Sequence, residues 1–74
     1  MNKTEINHIS VDEHEGSLKT FIMLSDGKRL SIQTTGEYRI ANTIIHINNS
    51  LPKNVAQTVV LSFIRLLEEK KVLS

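Results

Sequence analysis

Apolar residues alternate with polar ones through the first half of the chain and recur at helical spacing in the second. The clearest local signal is "FIMLSDGKRLSI", residues 21–32, where Asp26-Gly27 separates two apolar runs. That dipeptide is the preferred centre of a two-residue type I′ hairpin turn. Such a turn sets Ser25 opposite Lys28, Met23 opposite Leu30 and Phe21 opposite Ile32, with all four apolar residues on one face. Leu24, Ile22 and Thr20 then lie on the other face, beside Arg29, Ser31 and Gln33.

The connection after this hairpin predicts a further strand. A three-residue loop, Thr34-Thr35-Gly36, puts Gly36 at the left-handed position and pairs Ile32 with Tyr38 and Leu30 with Ile40. Both hairpins then agree on one inner face of Phe21, Met23, Leu30, Ile32, Tyr38 and Ile40. Beyond Ile40, "IANTIIHI" either continues as a strand or breaks at Ala41-Asn42 and resumes. Upstream, "EINHISV" alternates loosely and is able to add an edge strand through the loop "DEHEGS".

From Pro52 the period changes. Val55, Ala56, Val59, Val60, Phe63, Ile64, Leu66 and Leu67 form a wide apolar stripe at helical spacing. Pro52 suits the start of a helix, Ser50 or Asn54 its cap, and Lys70 and Lys71 the negative end of its dipole. The expected fold class is α+β: a small antiparallel β-meander of three to four strands, packed on one face by a C-terminal α-helix.

Length and composition narrow this without changing it. Seventy-four residues make one small domain spanning 1–74, with a core that leaves stability marginal. The chain has no cysteine, so no disulfide or thiolate-held zinc supports it. No apolar run near the start reads as a secretory signal, and none is long enough to span a membrane, so a cytoplasmic location is expected. A net charge of +1 does not by itself point to nucleic acid.

Candidate chemistry is sparse. Asp12, Glu13, His14 and Glu15 are consecutive, so they alternate about a strand or scatter into water in a turn and do not converge on a metal. The expected role of "DEHEGS" is a solvated hairpin loop. His8 and His46 fall in strand-like stretches without ligand spacing. No carboxylate pair, nucleophile–base set or phosphate loop stands out, so neither catalysis nor a cofactor or metal site is expected.

Surface character says more. The hairpin register sends Ile22 and Leu24, with Leu18, to the face the helix does not cover, where clustered apolar side chains signify a partner. Ile45 and Ile47 join them if the last strand runs unbulged, and Leu61 and Val72 fall outside the main helical stripe. These residues predict a small regulatory, adaptor or inhibitor protein that binds another protein or its own copy as a homodimer, with Leu18, Ile22 and Leu24 at the contact. The alternative is a nucleic-acid-binding module using Lys28, Arg29 and Arg39 on the outer sheet face. Against it stands the placement of both strand aromatics, Phe21 and Tyr38, on the inner side, since single-strand binders stack bases on exposed rings.

Overall fold

Three strands follow one another in a single antiparallel sheet of order β1-β2-β3, and two helices close one of its faces. The computed structural model describes residues 3–72. Its elements are β1 (Ile6–His14), β2 (Ser17–Leu24), β3 (Arg29–Thr35), α1 (Arg39–Ser50) and α2 (Lys53–Glu69). The α+β meander with a C-terminal helix on the sheet is therefore what the chain forms. The third strand, however, is the N-terminal one, and the stretch expected to complete the meander is a helix.

The first hairpin turns at Glu15-Gly16. His14 pairs with Ser17, and both central residues have positive φ, 51° and 78°, as a two-residue type I′ turn requires. Most of "DEHEGS" is thus strand, and only two of its residues make the turn.

The Asp26-Gly27 turn is one residue longer than expected. Ile22 pairs with Leu30 and Thr20 with Ile32. The Gly27 N–H donates to the Leu24 carbonyl at 3.0 Å and the Leu24 N–H to the Lys28 carbonyl at 2.9 Å. Gly27, at φ 91°, occupies the left-handed position of a three-residue loop with a G1 bulge. Two side chains support that choice. Asp26 Oδ1 accepts from the Lys28 N–H at 2.9 Å, and Ser25 Oγ accepts from the Glu5 N–H at 2.9 Å while the Ser25 N–H donates to the Glu5 carbonyl at 2.8 Å.

One residue of slip exchanges the faces of β2. Leu18, Thr20, Ile22 and Leu24 face the helices, and Ile9 and Val11 of β1 and Leu30, Ile32 and Thr34 of β3 join them. The reason lies in strand β2 itself. The Phe21–Met23 row also contains Lys19, whose ammonium is costly to bury, whereas the opposite row contains Leu18. A bulge between Ile6 and His8 adjusts the start of β1 so that Ile6 meets Leu24 on the inner side.

The segment 39–50 folds as a helix although it is rich in β-branched residues. Ile40, Ile44, Ile47 and Leu51 recur at intervals of four, three and four, which sets one stripe against the sheet; Ile47 and Leu51 are buried and Ile40 and Ile44 half-buried. Burial of this stripe overrides intrinsic strand preference. At the sheet-to-helix corner, the Thr34 and Thr43 hydroxyls lie 2.9 and 2.7 Å from the Arg39 carbonyl and 2.9 Å from each other. Helix α2 starts just after Pro52 and has no side-chain cap, so neither Ser50 nor Asn54 serves as one. It ends in a Schellman motif: the Val72 N–H donates to the Leu67 carbonyl at 2.9 Å and the Lys71 N–H to that of Glu68 at 3.1 Å.

Helix α1 lies over β3 and β2, and α2 lies over β1 and beside α1. The core between the layers is Val11, Leu18, Ile22, Leu24, Ile32, Ile47, Leu51, Ala56, Val59, Phe63 and Leu67.

Candidate functional site

The residues expected to form an apolar contact surface form the core instead. Leu18 and Ile22 are fully buried and Leu24 nearly so, because the three-residue loop turns their row toward the helices. They hold the fold and present nothing to a partner.

The basic trio is dispersed as well. Lys28 reaches across to the end of α1, where its Nζ donates to the Ser50 carbonyl at 3.0 Å; this satisfies a terminal helix acceptor. Arg39 is the first residue of α1, off the sheet, and donates through Nη1 to the Gly36 carbonyl at 2.8 Å and through Nη2 to Glu13 Oε2 at 3.3 Å. It braces the corner between β1, β3 and α1. Arg29 alone remains on the outer sheet face. The three histidines are also apart: His8 on the outer face of β1, His14 at its end and His46 on the exposed side of α1. No group of three side chains of metal-ligating type gathers among the described residues.

Two surfaces remain uncovered by the fold. The first is the outer side of the helical pair. Ile45 of α1 and Leu61 of α2 are 55% and 60% exposed. Leu61 lines a shallow depression of about 490 Å³ with Asn48, Gln57 and Val60, and Ile45 lies one turn back from Asn48 on the same side of α1. The surroundings carry few charges, Arg65 being the exposed cation one turn from Leu61 on α2. No acid occurs between Glu37 and Glu68, and the exposed residues of α1 are Ala41, Asn42, Ile45, His46, Asn48 and Asn49.

The second is the outer face of the sheet. Cross-strand pairing arranges it in rows: His8–Met23–Arg29, Ser10–Phe21–Ser31, Asp12–Lys19–Gln33 and His14–Ser17–Thr35. Phe21 sits mid-sheet between two serines, with the His8 ring at 6.0 Å and tilted by 51°. Phe21 and Met23 are half-buried by their neighbours, and among the described residues no element packs over them. The expectation that Phe21 is internal therefore fails with the register that produced it. Tyr38 is likewise outside, 67% exposed in the turn before α1.

The exposed Leu61 was legible as a residue outside the main stripe of α2. Ile45 was legible only as a strand residue, and Phe21 only through Lys19 in its row, because both rows of β2 carry large apolar side chains. Comparison with protein-family models, with characterised proteins and with solved structures found no match to this chain.

Proposed function

We propose that the chain works by binding protein through the outer side of its helical pair, and that the partner at this surface is a second copy of itself. The observation that carries the reading is the pair of more than half-exposed aliphatic side chains, Ile45 and Leu61, set in a charge-poor surface. Clustered apolar exposure marks contact sites, and depletion of charge is the compositional signature of an interface centre. A two-fold contact places a patch against its own rotated copy, so a patch without acids and nearly without bases meets itself without like-charge repulsion. A dimer joined through its helices leaves both sheet faces outward, an arrangement suited to a small adaptor or regulator.

The test is light scattering on eluting protein, for the wild type and for the paired variant Ile45→Lys with Leu61→Lys. The wild type is expected at twice the chain mass and the variant at the chain mass, with the same circular dichroism. A wild type that stays monomeric at every soluble concentration overturns self-association, and a variant that stays dimeric moves the contact elsewhere.

A further inference from the structure

The outer face of the sheet has the composition of a stacking surface. Phe21 lies at the middle of the central strand; its cross-strand neighbours are Ser10 and Ser31, the smallest hydroxyl side chains, and with the His8 ring 6.0 Å away the side chain is half-buried and partly open to a ligand. Arg29 stands diagonally across on β3, and Lys19 is the next outward residue along β2, so a cation flanks the ring in each direction; both are exposed. Diagonal neighbours on a sheet lie roughly 7–8 Å apart, within the span of long side chains. Gln33, Ser10 and Ser31 supply hydrogen-bonding groups beside the ring. Of the outward side chains of the three strands, only Asp12, across from Lys19, is acidic, against two cations and the imidazoles of His8 and His14. The face thus complements an anionic chain that carries flat, stackable groups.

We infer that this face binds single-stranded nucleic acid, with a base stacked on Phe21 and phosphates held by Lys19 and Arg29. A single strand is the fitting form because a duplex keeps its bases stacked inside, out of reach of a ring lying on a sheet. The reading is independent of the helical surface, which lies on the opposite side of the molecule.

The experiment uses the full chain and a labelled single-stranded DNA of mixed sequence, about 12 nucleotides long, within the usual site sizes of small single-strand binders. Fluorescence anisotropy at low salt is expected to show binding that weakens as salt rises. Phe21→Ala weakens it by about tenfold or more, the loss of one stacked base. Arg29→Glu, at an exposed site where folding is not at stake, weakens it and flattens the salt dependence. Because the chain has no tryptophan, Phe21→Trp places a unique tryptophan, excited apart from Tyr38, at the site. Its emission is expected to be quenched by the oligonucleotide while binding is retained. Absence of binding at low salt, equal binding by Phe21→Ala, or equal competition by duplex DNA overturns the inference. A tryptophan signal that ignores the oligonucleotide but follows protein concentration also overturns it, and identifies the face as a protein contact.

Discussion

Both faces of strand β2 carry large apolar side chains, yet they have opposite fates. Leu18, Ile22 and Leu24 are sealed under the helices, while Phe21 and Met23 stand on a face that no described element covers. The inner row belongs to one core cluster with Val11, Ile32, Phe63 and Leu67, with Glu13 and Thr34 across from its Leu18 end, and the outer row is ringed by serine, histidine, arginine and lysine. Which row becomes the core is decided by the residues that share it, through the cost of burying Lys19. Hydrophobicity alone does not separate a row that stabilises from one that recognises.

Substitutions on the two rows break that comparison most directly. Ile22→Ala should cost about 2–5 kcal/mol through lost burial and the cavity left behind, which for a domain this small threatens folding altogether. Phe21→Ala should cost roughly 1 kcal/mol, because its ring already meets water on one side. Urea denaturation midpoints measure both, and equal losses would mean that the outer row is also covered.

Within the inner row, Thr20 is the exception: it is fully buried, and its hydroxyl has no hydrogen-bond partner. Thr20→Val keeps the shape and removes the unsatisfied group, so a gain of about 1 kcal/mol is expected. A loss in the same assay would show that the hydroxyl is satisfied after all.

Smaller effects come from the two non-glycine residues held at positive φ, Glu15 at 51° and Lys71 at 61°. Glu15→Asn supplies the residue that a type I′ turn favours, and Lys71→Gly the one that a Schellman cap favours. Each should raise stability by about 0.5–1 kcal/mol, read as a shift in the thermal midpoint. The turn variant acts on the hairpin that carries both rows, and the cap variant lies outside it. Only the turn variant is therefore expected to slow hydrogen exchange in β1 and β2.

How far the sequence could be read follows from these same residues. The layer arrangement and helix α2 were legible because eight apolar positions at helical spacing have no competing strand pattern. Leu61 stood out of that stripe and is exposed. Helix α1 was not recognised, since Ile40, Ile44, Ile45 and Ile47 satisfy strand propensity while their spacing, together with Leu51, satisfies a helix. Tertiary burial settled that contest. The candidate contact of Leu18, Ile22 and Leu24 failed for one reason: Asp26-Gly27 is compatible with both a two- and a three-residue loop, and the difference inverts every assignment on β2. The presence of Lys19 in the Phe21–Met23 row was the available clue. Lys28 and Arg39 read as surface charge, and nothing local reveals that Lys28 reaches the Ser50 carbonyl or Arg39 the Glu13 carboxylate.

The seating of α2 on β1 has a kinetic meaning. Strand β1 pairs with β2 and β2 with β3, and α1 folds back on β3 and β2, so these contacts close comparatively short loops. Only the α2–β1 contact brings the last element onto the first. The ordering entropy of the chain is therefore concentrated in that single closure, which is where contact order accrues and where folding is slowed. A circular permutant that joins the two ends and opens at the Asp26-Gly27 loop would convert that slow encounter into a local one.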